Sequence, residues 1–290
     1  MRFAVTLALA APGLALVVAF LALPLMAVPV MALLSWDGVG TAQLDFGLRA
    51  LHATAVSTAF WAAAGRTALY ACMGTALVVG IAMPLAFATA TSSDRLVRRL
   101  AIATLVPMAL SGVASALLQQ RALFWAWRII ERHFGMNPVD PLGSPLTAFA
   151  FILAIDLWQS VGMCWLLLDG IVQRLMTPYF DVSRMAGLAG WRLHLKLTLP
   201  LAANAVVAVW ILEFLHRLAA FDAIFVVTGG GPFFGTEVMS LFVLRSVWGG
   251  QTDGAVDYGT GAAASTLFMI ASMLVIATAW PRVRAVLRVG

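Results

Sequence analysis

Residues 181–200 read DVSRMAGLAGWRLHLKLTLP and form a cationic segment between two runs of sequence that are apolar enough to cross a bilayer. Apolar side chains recur in it at helical spacing and form one face of a predicted helix: Val182, Met185, Leu188 and Ala189. This helix can join the next membrane span only if the chain bends, for which Gly187, Gly190 and Pro200 are suited. The segment therefore predicts a short cytoplasmic helix onto which another protein docks.

Position by position, this segment resembles the EAA loop of binding-protein-dependent ABC importer permeases, whose pattern is EAAxxDGAxxxxxFxxIxLP. The glycine of that pattern falls on Gly187, and its closing Leu-Pro falls on Leu199 and Pro200 at unchanged spacing. The departures from the pattern are Asp181, Val182 and Ser183 for EAA, Ala186 for Asp, Leu188 for Ala, His194 for Phe and Leu197 for Ile. The resemblance implies that the segment contacts a separate ATPase through Asp181, Arg184, Met185, Gly187, Leu188 and Trp191.

A second motif lies downstream, after one apolar span. Phe221 and Asp222, followed by TGGGP at residues 228–232, resemble the FD…TGGGP loop of the sugar-type permeases in the same family. The two motifs stand in the family's order, and the resemblance covers roughly the last half of the chain. It implies a sugar or glycerophosphate-type permease. The TGGGP motif is similar to that of the permease encoded first in such operons. This resemblance implies a second, different permease chain as partner.

Composition alone indicates a polytopic membrane protein. Of the 290 residues 62% are hydrophobic and 11% are charged, and the mean hydropathy is +0.95, which does not fit a soluble globule with an ordinary surface. A helix needs about 20 apolar residues to cross ~30 Å of hydrocarbon. Six charge-poor runs are long enough: residues 2–37, 66–94, 99–121, 146–168, 197–218 and 258–280.

The distribution of basic residues orients these spans. Short cytoplasmic loops collect Lys and Arg, and an inward N-terminus places the basic clusters at 95–99, 174–196 and 282–288 on the inner side. We therefore expect an all-α membrane domain, residues 1–290, with about six transmembrane helices and a cytoplasmic EAA-type coupling helix. The coupling loop, 170–199, would join the fourth and fifth helices, and both termini would be cytoplasmic. Because the cations are dispersed over loops, nucleic acid is not an expected partner.

No catalytic or metal site is expected in this chain. A P-loop needs a lysine after a glycine, whereas Lys196, the single lysine, follows Leu195. The histidines do not reach HExxH spacing, no GxSxG elbow is present, and Cys72 and Cys164 fall inside predicted spans as small apolar residues. We expect no cofactor on this chain, and the resemblance implies that ATP and magnesium bind to partner ATPase subunits.

Ionisable residues inside the predicted spans are the remaining candidates for function. A charge near the bilayer centre costs ~2.5–3.5 kcal/mol on insertion scales, so such a group faces protein or a water-filled cavity. Asp156 and Gln159 lie in the fourth span, and Glu213 and Arg217 are spaced i, i+4 in the fifth. Two interpretations stay open: ion pairs that fix packing, or the polar lining of a substrate path. Aromatic neighbours that would stack on a sugar ring complete the second: Trp210, Phe214 and Phe221.

The resemblance implies a transmembrane subunit of an ABC importer for a sugar, polyol or glycerophosphate in a bacterial or archaeal plasma membrane. Its implied partners are a second homologous permease, two cytoplasmic ATPase subunits and an extracytoplasmic solute-binding protein. Three alternatives remain at this point. One is an ion-coupled secondary transporter, which would usually have repeated halves with broken helices. The others are a permease for an amino acid, phosphate or metal, and a membrane scaffold whose amphipathic loop lies on lipid headgroups.

Overall fold

The computed structural model describes residues 11–35, 43–91, 94–135, 140–179, 183, 185, 187–188, 190–248 and 257–287. Within these ranges the chain is mainly helical. The first five helices are α1 (Ala11–Ala32), α2 (Arg49–Val56), α3 (Thr58–Thr91), α4 (Arg95–Ala103) and α5 (Gly112–Phe134). Next come α6 (Pro145–Met176), then α7, which combines Gly190–Leu193, a π-helical turn His194–Thr198 and Leu199–Leu218. The last three are α8 (Asp222–Val227), α9 (Met239–Trp248) and α10 (Tyr258–Leu287).

A short antiparallel hairpin follows α1, formed by strands β1 (Leu34–Ser35) and β2 (Gln43–Phe46). The fold class predicted from the sequence, all-α, is confirmed apart from this pair. Among the described residues, five helices are long and apolar enough to cross a membrane. The count rises to six if the bent pair Arg95–Ala109 and Gly112–Phe134 is taken as one span.

The predicted third span, residues 99–121, is the one that differs from the structure. The chain turns by 107° between Arg95–Ala109 and Gly112–Phe134, so no straight helix covers this range. Two local features produce the break. Pro107, which has no backbone N–H, begins a 3-10 turn after which Leu110 is extended. Ser111 then caps α5 by accepting a hydrogen bond from the Ala114 N–H.

The connection between the fourth and fifth predicted spans is shorter than the predicted loop 170–199. Helix α6 runs to Met176 and is followed by the 3-10 turn Thr177–Tyr179, and α7 already begins at Gly190. Pro200 therefore lies inside a helix rather than ending one. The π-helical turn His194–Thr198 directly precedes it, an arrangement that accommodates a residue without a backbone N–H.

The chain divides into two compact units, residues 1–64 with 239–273 and residues 65–238 with 274–290, and the boundaries fall within α3 and α10. In the first unit Phe60 of α3 packs edge-on against Phe242 of α9, and Ala264 of α10 belongs to the same core. Ala262 and Ala263 of α10 form a second, smaller cluster with Ala32 of α1. In the second unit the largest core joins α3, α6 and α7 through residues such as Val78, Leu168 and Val209.

One glycine shows how closely segments of the second unit approach. A Cβ atom on Gly162 of α6 would clash with the backbone oxygen of Thr104. The residue after α4 thus packs directly against the backbone of α6, and only a glycine leaves room for it. This approach holds the broken segment 104–111 beside α6, where the polar residues of that helix are found.

Candidate functional site

A buried ionic cluster joins α6 to α7. The Arg217 Nε donates to Asp156 Oδ2 at 2.7 Å, and its Nη1 donates to Glu213 Oε2 at 2.7 Å. Nη1 also donates to the Glu213 backbone oxygen at 3.1 Å, and Nη2 donates to Ser160 Oγ at 2.7 Å. Helical spacing brings these groups together, because Asp156 and Ser160 are four residues apart on α6 and Glu213 and Arg217 are four apart on α7.

The guanidinium of Arg217 is enclosed by its neighbours. Its side chain is 0% exposed, whereas those of Asp156 and Glu213 are 15% and 9% exposed. On its third side lies Gly74 of α3, where an added Cβ would stand 2.7 Å from both Cδ and Nε of Arg217. The cluster is therefore built by three helices, and the arginine is its centre.

The cluster forms one wall of a cavity of about 610 Å³ in the second unit. Of the substrate-path residues predicted from the sequence, Asp156, Gln159, Glu213 and Phe221 line this cavity. Sequence reasoning missed other lining residues, among them Tyr70 of α3, Met108 of the broken segment and Gly112 at the start of α5. Their only sequence signal was proximity to predicted spans, because the fold of the segment around 104–112 decides which of them face the cavity.

Gln159 connects the cavity wall to the helix break. Its side-chain Nε2 donates to the backbone oxygen of Leu110 at 3.1 Å, the residue at which the chain leaves the helical conformation. An interrupted helix leaves backbone carbonyls without intrahelical partners, and a side-chain amide can satisfy one of them. Gln159 therefore stabilises the break as well as lining the cavity.

Two of the predicted aromatic residues are placed elsewhere. Trp210 and Phe214 stack on each other, with ring centroids 5.3 Å apart and planes 9° apart, and neither belongs to the cavity lining. Trp210, Phe214 and Arg217 are spaced i, i+4 and i+7 on α7 and so share one side of the helix, but only Arg217 belongs to the cavity lining. Phe221 does line the cavity, and it stacks on Phe225 of α8 at 5.0 Å.

The segment with the EAA resemblance is described at Ser183, Met185, Gly187 and Leu188, and Ser183 and Met185 are helical. The Leu188 N–H donates to the Ser183 oxygen at 3.0 Å, and Gly187 between them has a φ of +70°. A hydrogen bond of this span, with a left-handed glycine as the penultimate residue, is the Schellman motif that ends helices. Asp181 and Arg184, which were predicted to contact an ATPase, lie outside the described residues.

A ring cluster follows at the start of α7. Trp191 packs edge-on against Phe87 of α3 at 5.7 Å and stays half-exposed, while His194 stacks flat on the same ring at 4.3 Å and is buried. His194 Nδ1 lies 3.2 Å from Thr198 Oγ1, a hydroxyl that donates to Met176 Sδ at 3.1 Å. These contacts fasten the π-helical turn of α7 to α3 and α6.

The TGGGP segment is an ordered loop tied together by two threonines. Thr228 Oγ1 lies 2.7 Å from Thr236 Oγ1, and Thr236 Oγ1 donates to the Gly231 oxygen at 2.7 Å. Gly229 and Gly230 have φ values of +54° and +89°, which glycine adopts without steric cost. Arg66 of α3 holds the end of the loop by donating to the Glu237 backbone oxygen at 2.8 Å. The glycines thus allow the backbone to turn, as the glycine-rich composition of the segment indicates.

The described residues contain no group of three or more His, Cys, Asp or Glu side chains placed to hold a metal ion. No protein-family model matches the chain.

Curated proteins with similar sequences are permeases of ABC transporters. The chain is 29% identical over 169 residues to the trehalose/maltose transport system permease protein MalF of Thermococcus litoralis, which covers 57% of this chain and 55% of that protein. It is 23% identical over 254 residues to the xylose/arabinose import permease protein XacH of Haloferax volcanii, which covers 83% and 76%. The match thus spans about half of the first relative's length and three quarters of the second's.

Among solved structures, the chain matches one from the crystal structure of a bacterial ABC transporter involved in the import of the acidic polysaccharide alginate. The TM-score is 0.76 at 18% identity, over 98% of this chain and 96% of that one. A bacterial alginate ABC transporter solved in complex with an alginate pentasaccharide-bound periplasmic protein gives a TM-score of 0.75 at 16% identity, over 96% of this chain and 93% of that one. At such identities the likeness establishes the fold. The chain is therefore a homologue of sugar ABC transporter permeases and has the fold of an ABC-importer permease.

Proposed function

We propose that this chain is a transmembrane permease subunit of an ATP-driven importer for a sugar or a related polyol or glycerophosphate. The observation that carries the proposal is the fold match to an ABC-importer permease over 98% of the chain, joined to relatives that are sugar permeases. In this proposal the chain forms half of the translocation path in a bacterial or archaeal plasma membrane, with both termini cytoplasmic. It is not itself an enzyme.

The proposed complex contains a second homologous permease of different sequence, two cytoplasmic ATPase subunits and an extracytoplasmic solute-binding protein. Support for the last comes from the alginate transporter, which was solved with a solute-bound periplasmic protein. ATP and magnesium bind to the ATPase subunits in this scheme, and the chain itself holds no cofactor. The EAA-like segment is the proposed contact with the ATPase, through Met185, Gly187, Leu188 and Trp191 together with Asp181 and Arg184.

A mechanism of alternating access follows from the continuity of α7. This helix begins at Gly190, directly after the coupling segment, and carries Glu213 and Arg217 near its other end. At ~1.5 Å per residue the two ends are about 40 Å apart, so one helix joins the proposed ATPase contact to the cavity wall. When the ATPases close, the coupling segment moves with them, and α7 transmits the displacement because a packed helix responds as a unit.

The cavity supplies contacts suited to a hydroxylated solute. Carboxylate oxygens of Asp156 and Glu213 accept hydrogen bonds from hydroxyl groups, and Phe221 offers a flat apolar surface to the C–H face of a sugar ring. Gln159 takes a positioning role, because its amide already bonds to Leu110. Trp210 and Phe214 support α7 through their mutual stacking rather than through the solute.

The experiment is purification of the native complex through a tag on this chain, followed by reconstitution into liposomes with the binding protein. We expect an ATPase subunit to co-purify and uptake of saccharide to require ATP on the ATPase side. Uptake should persist after a protonophore dissipates the proton gradient. Uptake driven by an ion gradient without ATP would instead establish the secondary-transporter alternative.

A further inference from the structure

We propose that the cavity of this chain selects uncharged, hydroxyl-rich solutes and discriminates against sugars that carry a carboxylate. The proposal deepens the proposed function and rests on it. The geometry behind it is the orientation of the ionic cluster. The side chain of the cation is fully buried, whereas the side chains of both anions keep some exposed surface.

Arg217 is the residue to which an anionic sugar would be expected to bind, and it is already occupied. Four of its five N–H groups donate to Asp156, Ser160 and Glu213, and its side chain has no exposed surface. Gly74 closes the remaining side, since its Cα carries no side chain and the guanidinium stem fills that space. A substrate carboxylate reaches Arg217 only if one of these buried ion pairs is first broken, which leaves a carboxylate of the protein without its partner.

The carboxylates, in contrast, each have one oxygen outside the ion pair and belong to residues that line the cavity. Asp156 and Glu213 each use a single oxygen, Oδ2 and Oε2, to bind Arg217. Asp156 Oδ1 and Glu213 Oε1 accept no hydrogen bond from the described part of the chain. Both side chains retain some exposed surface, and both line the cavity. The wall therefore offers hydrogen-bond acceptors, which hydroxyl groups satisfy and carboxylates do not.

The net charge of the lining acts in the same direction. Among the described residues, the lining contains three carboxyl side chains, those of Asp156, Glu213 and Asp222, and one guanidinium, that of Arg217, so its acidic groups outnumber its guanidinium group. The carboxylate of an acidic sugar placed beside these groups raises the electrostatic energy, most of all where water is displaced from the cavity. Uncharged hydroxyls have no such penalty and gain charge-assisted hydrogen bonds.

Discrimination of this kind belongs to the side chains rather than to the fold. The matched solved structure belongs to a transporter described as importing an acidic polysaccharide, and its chain has the same fold at 18% identity. One fold therefore serves different solutes when the residues lining the path differ. In this chain the acidic residues of α6 and α7 in the cavity wall are the feature that favours uncharged solutes over anionic ones.

The test compares matched solutes in the complete transporter, reconstituted with its binding protein. The labelled probes are D-glucose with D-glucuronate, D-galactose with D-galacturonate, and maltose with maltobionate. For the wild type we expect the uncharged member of a transported pair to enter at least about tenfold faster than its acid. Equal rates for both members would overturn the proposed selectivity while leaving sugar import in place. Absence of ATP-dependent uptake of every probe would overturn the proposed function and with it this inference.

The variant Glu213→Gln assigns the discrimination to the cavity rather than to the binding protein. Its amide oxygen can still accept from Arg217 Nη1, so the variant removes one negative charge and keeps the hydrogen bond. We expect the acid-to-neutral uptake ratio to rise several-fold, and Asp156→Asn to change it in the same direction. Glu131→Gln, which removes an exposed carboxylate of α5 that is not part of the lining, is the matched control. A ratio that stays at the wild-type value in both cavity variants would overturn the proposal.

Discussion

Arg217 Nε lies 2.7 Å from Asp156 Oδ2, and this ion pair joins α7 to α6 across 61 positions of sequence. The same guanidinium binds Glu213 one turn earlier on its own helix. Because both carboxylates share one cation, the three residues form a single structural unit. The ion pair of the first interpretation left open by the sequence is thus present, whereas the lining of a substrate path stays a prediction.

The first prediction follows from the burial of that cation. Arg217→Met leaves Asp156 and Glu213 without their partner, and an uncompensated buried charge costs ~3–5 kcal/mol. We expect a large loss of thermal stability in detergent, measured as the temperature at which the monodisperse peak disappears in size-exclusion chromatography.

A triple variant provides the comparison for this prediction. Replacing Asp156 and Glu213 by Leu together with Arg217→Met removes all three charges, and a buried ion pair is often no more stable than good apolar packing. We expect the triple variant to recover most of the stability and to remain inactive in uptake. Recovery of full uptake would show that the cluster serves packing alone.

The second prediction concerns Gly74, against which Arg217 packs. Gly74→Ala places a methyl group 2.7 Å from Cδ and Nε of Arg217, and overpacking of this kind costs ~1–3 kcal/mol. Gly80→Ala is the matched control, since it lies on the same helix with no heavy atom within 4 Å of its added Cβ. We expect Gly80→Ala to leave thermal stability unchanged or slightly raised. Equal effects of the two substitutions would contradict the contact.

The spans were predictable from the sequence because each charge that leaves water is costly, so gaps between charges mark the membrane helices. The helix break at 104–111 was not predicted, although Pro107 and Ser111 are ordinary break and cap signals. Such a break cannot be recognised from a run without charges, since hydropathy describes how apolar a segment is and not the direction of its helix axis. The bend depends on Gly162, which allows the backbone at Thr104 to approach, and that is a tertiary contact.

The site was predictable to the extent that it is local. Glu213 and Arg217 are spaced i, i+4, so the sequence predicts that they can pair, and they do. Asp156 joins them from another helix, which no spacing rule shows. Trp210 and Phe214 were predicted beside the solute because they flank Glu213, yet in the structure they stack on each other and are not part of the cavity lining. The roles proposed for these residues in transport stay predictions.

The third prediction separates two possible roles of Gly187. In the structure its φ is +70°, and no neighbouring heavy atom from the described residues lies within 4 Å of an added Cβ. Gly187→Asn keeps access to the left-handed conformation but adds a side chain, whereas Gly187→Arg adds bulk and strain. If an ATPase approaches this backbone closely, both variants insert normally and lose transport. Transport retained in Gly187→Asn would reduce the role of Gly187 to ending the helix. Normal substrate-stimulated ATP hydrolysis in Gly187→Arg would contradict both roles, ending the helix and admitting the ATPase.

The fourth prediction concerns Asp181, which stands where the family pattern has Glu and lies outside the described residues. We expect a charge-assisted contact with a cation of the ATPase, a class of hydrogen bond worth ~1.5–3 kcal/mol. Asp181→Asn keeps most of the ability to cap a helix but loses the charge. Affinity for the ATPase, measured by pull-down from detergent, should therefore fall about tenfold or more. Unchanged affinity would leave helix capping as the role of Asp181.

Site-specific photo-crosslinking from Met185 tests most directly whether the EAA-like segment docks onto an ATPase. Met185 and Phe233 are both strongly exposed, at 89% and 90%, but lie on the two different loops that carry the family motifs. A photoreactive residue at Met185 in native membranes should form an adduct with a nucleotide-binding subunit, and one at Phe233 should not. An ATPase adduct from Phe233, or none from Met185 in a transport-competent membrane, would contradict the proposed coupling and the cytoplasmic placement of this segment.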